Sequence, residues 1–259
     1  VGVIADRVAA ARGLGAGRSR LELLKKAAAL DPDSMDALAL LWEEQRTHND
    51  MDGAAESLAR HTDLAIAAGR AWDAERHLRS LLDAAPQNTR VRETLAKALQ
   101  AAGNASEAVL QWSLAAGWHR GAGRADEARR CCAEALALEP DSIDANQELL
   151  VASELGGDGA EVARNAARLA ALLVAKRRVR EASGLLSRIF RKFPAEPLLL
   201  PPIRHCAAEL GEPHAAAEAY RAHAAALEAE GAVLDAAEAL RTARGLAPSD
   251  ESAGAEIAR

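Results

Sequence analysis

GRADEARRCCAEALALEP, residues 123–140, decides how the chain is read. Gly123 takes a positive φ at little steric cost and so ends the helix before it. Asp126 and Glu127 stand in the first turn of the next helix, where negative charge meets the positive end of the dipole. Ala128, Cys132, Ala135 and Leu136 follow at steps of four, three and one, which puts them on one helical face. Ala128 is small, so a neighbouring backbone can come close there. Pro140 cannot continue a helix and turns Glu139 away from α conformation. Asp141 and Ser142 then offer oxygens to cap the following helix.

The skeleton recurs. Gly69 leads to Asp73-Ala74 and Pro86, Gly231 to Asp235-Ala236 and Pro248, and Gly15 to Pro32. Arg177 stands where the glycine would be and leads to Glu181-Ala182 and Pro194. Pro32, Pro86, Pro140, Pro194 and Pro248 keep one constant spacing without an insertion. A period held along the whole chain is the signature of a repeat solenoid. A second set of turns stands at a constant distance after the first four prolines, at Asn49, Gly103, Gly157 and Gly211. Five positions further on stand Ala54, Ala108, Val162 and Ala216. Each unit therefore reads as three helices. A side chain at Arg177 implies a turn that differs from the left-handed glycine turns. On that reading Gly103→Ala costs on the order of 1 kcal/mol, and Arg177→Gly gains no more than a few tenths.

This pattern resembles the tetratricopeptide repeat. Gly123, Glu127-Ala128, Cys132, Ala135, Leu138 and Pro140 stand in that family's places, and the resemblance runs from about Gly15 to Pro248. The departure is the period. Turns here alternate between a long step, Gly69 to Gly103, and a short one, Gly103 to Gly123. The long step alone equals the family's two-helix unit, so the unit here reads as one and a half tetratricopeptide repeats. The resemblance implies an all-α, right-handed superhelix that binds a peptide or a helix of a partner protein on its concave face. Some relatives clamp acidic C-terminal tails. At the matching places stand Glu93 and Lys97, Ser113 and Gly117, then Gln147 and Val151, so that clamp is not expected.

Expected helices lie near residues 1–14 and 19–30, then 34–48, 52–68 and 71–84, then 89–102, 105–120 and 124–138. Units three and four follow with 142–155, 158–176 and 179–192, and with 198–210, 213–230 and 233–246. The whole is one array: partial units at 1–32 and 249–259 flank units 33–86, 87–140, 141–194 and 195–248. Short connections favour helices that alternate strictly between two layers, giving a structural period of two units; an armadillo-like unit with a crossing first helix is the alternative. In unit four Pro197, Pro201 and Pro202 delay the helix to near Pro201. Leu198, Leu199 and Leu200 would precede it, as a staple on the previous unit or as an apolar lip for a partner. Both ends read as cut. Leu21, Leu23 and Leu24, and a partnerless helix over 250–259, would leave apolar surface for weak end-to-end self-association.

Among the 259 residues 49% are apolar but only 3% aromatic, so the core rests on close helix approach rather than on large side chains. No run alternates with period two, and no strand is expected. No stretch approaches the length of a membrane span, so membrane insertion is not expected. Cys131, Cys132 and Cys206 form no disulfide framework and weakly favour a reducing, cytoplasmic setting. Cys132 takes the place of Leu78, Leu186 and Leu240 in the other units and reads as a small buried hydrophobe.

No catalytic, cofactor or metal pattern stands out. Seven histidines are scattered, and none pairs with another four residues away beside a carboxylate. Gly13, Gly15 and Gly17 follow no strand, so they read as a turn. Trp112 and Tyr220 take equivalent core places. Trp118 either lines a groove or is buried between units. Residues 176–192 carry seven basic groups and one acidic, which leaves −12 for the rest of a chain of net charge −6. Arg164, Arg168, Arg177, Arg178, Arg180, Arg188, Arg191 and Lys192 thus form a basic patch, with Glu181 its only acidic member. It reads as a solvated face or as a dock for an acidic protein segment, not for nucleic acid, since few aromatics surround it. A binding scaffold is the leading function; a regulatory or dimerising segment of a larger signalling or cell-envelope protein is the alternative.

Overall fold

Side-chain capping and two kinds of turn set where the helices start and stop. Ser34, Asp50, Asn88 and Asp158 accept hydrogen bonds from the backbone N–H groups of Ala37, Gly53, Val91 and Ala160. Each satisfies a donor that the first turn of a helix leaves unpaired. Before the prolines, Asp31, Ala85 and Glu139 leave helical conformation, each with φ of −136°. The chain then reverses through hydrogen bonds such as Asn88 N–H to Ala85 O, at 3.0 Å.

Seven other turns share one geometry. Gly69 N–H donates to Ile66 O and Arg70 N–H to Ala65 O, the paired bonds of a Schellman motif closed by a left-handed residue. The same pair recurs at Asn49, Gly103, Gly123, Gly211 and Gly231, all with positive φ. It recurs at Arg177 too: φ is +61°, Arg177 N–H donates to Val174 O, and Arg178 N–H to Leu173 O. The expectation that this turn would differ is therefore overturned. Packing of the two flanking helices dictates the turn, and the side chain is carried in a conformation that disfavours it. Arg177→Gly is now expected to stabilise by about 1 kcal/mol, with Gly103→Ala costing a similar amount. Shifts in denaturation midpoint at constant slope check both. Gly157 lies outside the described residues.

The structure, a computed structural model, describes residues 2–15, 17–156 and 158–248. Fourteen α-helices follow one another among them. They are α1 (Gly2–Gly13), α2 (Arg18–Leu30), α3 (Met35–Thr47), α4 (Met51–Ala67), α5 (Ala71–Ala84), α6 (Thr89–Ala101) and α7 (Ala105–Gly121). Then come α8 (Ala125–Leu138), α9 (Ile143–Gly156), α10 (Gly159–Ala175), α11 (Val179–Lys192), α12 (Leu200–Leu210), α13 (Pro213–Ala229) and α14 (Val233–Leu246). A short 3-10 turn, Pro197–Leu199, precedes α12, so the prolines delay that helix by about one turn. Among the described residues there is no strand. Helices α4, α7, α10 and α13 have 17 residues each, and α5, α8, α11 and α14 have 14.

The helices gather into two compact units, Val1–Ala145 and Asn146–Arg259, divided inside α9. In the first, Trp42, Leu58, Leu78, Leu81, Val91, Leu95 and Leu99 share a core with Ala54, Ala74 and Ala108. The alanines let the helices approach closely, and α4 packs on α6 as well as on α5. Leu24 is fully buried, and Leu21 and Leu23 pack against its cluster. Leu21 and Leu23 thus keep part of the apolar surface expected near the start of the chain, and Leu14 and Leu30, which are exposed, add to it. The expected helix over 250–259 lies outside the described residues. In the second unit Ala224, Ala236, Ala239 and Leu240 form one cluster, with Tyr220 against it. Leu199 and Leu200 are buried as a staple would be, while Leu198 remains exposed.

Candidate functional site

Three features stand apart from the repeating core: an apolar face on α7, a basic surface around α10 and α11, and a buried polar cluster between α6, α7 and α8.

Helix α7 buries Ala108, Val109, Trp112, Ala115, Ala116 and His119. Leu110, Leu114 and Trp118 lie on its other side at four-residue steps, 50%, 42% and 40% exposed. Trp118 is therefore not buried between repeats, because Trp112 and His119 already fill the inward face. The chain supplies its own controls. The same places on the other long helices hold Glu56, Arg60 and Leu64 on α4, Arg164, Arg168 and Leu172 on α10, and Glu218, Ala222 and Ala226 on α13. Those helices fold without the Leu-Leu-Trp stripe, so packing does not demand it.

In the second unit, Arg164, Arg168, Arg177, Arg178, Arg180 and Arg191 are exposed. The structure adds an acidic member that the sequence hid. Glu154, on α9, accepts from Arg188 Nη1 at 2.9 and 3.0 Å and from Lys192 Nζ at 2.7 Å. Burial works against its charge, but these bonds prevail and hold its carboxyl below the usual range. Arg178 makes a two-point contact with Glu181, at 2.8 and 2.6 Å. Arg191 Nε turns back onto Ser187 O. The basic surface is thus narrower than the sequence suggests. Among the described residues, Arg164, Arg177 and Arg180 have no carboxylate in ion-pair reach.

The third feature lay outside sequence reasoning. Glu93 on α6 accepts from His119 Nε2 of α7 through Oε1, at 2.5 Å. It accepts from Arg130 Nη2 of α8 through Oε2, at 2.6 Å. Burial disfavours the Glu93 charge, but the bonds from Arg130 and His119 outweigh it, and the carboxyl sits below its ordinary range. Cys131, fully buried beside it, has its thiol pushed up to about 12 by burial and by the Glu93 charge. The four groups come from three helices at separations no single-helix motif would reveal.

Helices joined by repeated Schellman turns and proline turns define an all-α helical repeat protein. The chain is a TPR-like member of that class: residues 65–110 match the sequence profile of the tetratricopeptide repeat family. Comparison with curated proteins gives no match. Solved structures similar to it include the APC/C hetero-tetramer Cut9-Hcn1, at 14% identity over 93% of this chain and 52% of that one, TM-score 0.31. Another is BtubC (BKLC) from P. vanneervenii, at 17% identity over 94% and 90%, TM-score 0.34. Yeast Tom70 follows at 17% identity over 93% and 53%, TM-score 0.32. The chain spans about half the length of the first and the last of these. Among the described residues no helix is long and apolar enough to cross a membrane.

Proposed function

We propose that this chain is a protein-interaction scaffold, built from 54-residue three-helix units, whose partner segment lies along Leu110, Leu114 and Trp118. The observation that supports this is the exposed stripe on α7, set against charged or alanine residues at most of the same places on the sister helices. Three half-exposed side chains offer a few hundred Å² of apolar surface, well short of the roughly 800 Å² per partner of a stable dimer. A second copy of the chain is therefore a poor occupant. A helical peptide with its own apolar face is a good one, since anchors at four-residue spacing match such a stripe. Glu107, an acidic neighbour on this helix, is already engaged by Arg79. A second contact for an acidic segment lies at Arg164, Arg177 and Arg180, each without a carboxylate in ion-pair reach among the described residues.

The test is a peptide selection against the intact chain. Selected peptides should carry apolar anchors four residues apart. They should lose at least about tenfold in affinity for the triple variant Leu110→Glu, Leu114→Arg, Trp118→Leu, which copies α4. Thermal stability should stay within about 0.5 kcal/mol. Selection of no such peptide, or undiminished binding to the variant, overturns the proposal. In a second arm, a glutamate-rich peptide should bind at low salt and weaken with salt. It should lose that dependence when Arg164, Arg177 and Arg180 become glutamate.

A further inference from the structure

A carboxylate oxygen of Glu93, a ring nitrogen of His119 and Sγ of Cys131 all lie within 4.8 Å of one another. Each comes from a different helix, and His119 and Cys131 are buried. From these three converging donors we infer a binding site for a borderline divalent transition metal of the zinc class. An oxygen, an imidazole nitrogen and a sulfur together suit zinc or cobalt. The same set does not suit magnesium or calcium, which take oxygen ligands in larger number.

Three further observations support the assignment. The first is the support behind the ligands. Arg130 holds Oε2 of Glu93, so Oε1 is presented toward His119 with the carboxylate's orientation fixed. Ligating carboxylates are commonly held this way by a group outside the coordination sphere. The second is the comparison between repeats. The places of Glu93, His119 and Cys131 are held by Ala39, Ala65 and His77 one period earlier. One period later they are held by Gln147, Leu173 and Leu185, and two periods later by Pro201, Leu227 and Ala239. The repeat forms without the trio, so the fold is no reason for burying it. The third is access. The Arg130 side chain is 49% exposed while His119 is almost sealed, so the cluster meets solvent on the Arg130 side.

The charges and protons balance. The ion separates the Glu93 carboxylate from the His119 ring: the proton that Nε2 shared with Glu93 is carried on Nδ1 instead, and the ion takes a lone pair from Oε1 and the one so freed on Nε2. The Cys131 thiol loses its proton to solvent as sulfur bonds the metal. One proton leaves per ion bound, and no electron moves. Three protein ligands leave a fourth position for water.

The experiment uses the intact, reduced chain, freed of metal with a chelator and titrated with cobalt(II). One equivalent should produce a thiolate-to-cobalt charge-transfer band in the near ultraviolet, with visible bands of tetrahedral cobalt. One proton should be released, and zinc should bleach the bands. Cys131→Ser should remove the charge-transfer band, and His119→Leu should weaken binding at least tenfold. Cys132→Ala and Cys206→Ala should keep both band and affinity. His119→Leu puts in the residue found one and two periods on, so it provides a folded control if Cys131→Ser misfolds. Absence of the band in the wild type, its survival in Cys131→Ser, or undiminished cobalt affinity in His119→Leu overturns the inference.

Discussion

Trp112→Ala is expected to destabilise the first unit by about 4 kcal/mol, the range for deleting a large aromatic from a packed core. Trp112 is 1% exposed and is the largest fully buried side chain. Its place is taken by Leu58, Ala166 and Tyr220 in the other units, so each unit fills the site to a different volume. An alanine-rich surround cannot collapse far, because its helices are already in close contact through small residues. The indole Nε1 is buried without a hydrogen-bond partner, which carries a desolvation cost. Trp112→Phe removes that N–H together with part of the ring, so it should cost much less, about 1 kcal/mol. Denaturant unfolding followed by fluorescence suits the pair, since all four tryptophans lie in the first unit. Equal losses for Ala and Phe would show that the indole N–H is bonded after all.

Glu93→Ala should cost about 3 kcal/mol, because it strands His119 Nε2 in the interior and takes from Arg130 the carboxylate it holds. His119→Leu should stay within about 1 kcal/mol, because an apolar residue replaces one that buries an unpartnered Nδ1. The asymmetry distinguishes a carboxylate that organises two partners from a pair of equal members. The pH dependence has a fixed sign. The Glu93 carboxyl is lowered in the folded state, so its stabilisation is complete above the unfolded carboxyl value of about 4.3. It is lost as pH falls through the lower, folded value. The gap between wild type and Glu93→Ala should therefore be constant from neutral pH to about 5 and narrow below that. A gap that widens on acidification would mean Glu93 is held protonated.

The sequence alone determined the helices, nearly to the residue. Prolines, glycines and capping side chains act within one or two turns of themselves, and a fixed period repeats their message. Gly123 and Pro140 could be read without knowing what packs on them. The buried set was legible for the same reason, since Cys132 had to do what Leu78, Leu186 and Leu240 do. Tertiary structure decided everything that depends on side chains meeting across helices. Arg177 is left-handed because two packed helices require that turn, whatever side chain it carries. Glu154 reaches Arg188 from far away in sequence, which trims a patch that had looked unopposed. Glu93, His119 and Cys131 meet only because three helices lie side by side, and the sequence separation of the first two follows no helical period. The stripe on α7 is three apolar residues at four-residue steps, a spacing that does not by itself say which way they face. That it faces outward was settled by Trp112 and His119 on the opposite side, since a helix has one inward face and those two side chains occupy it.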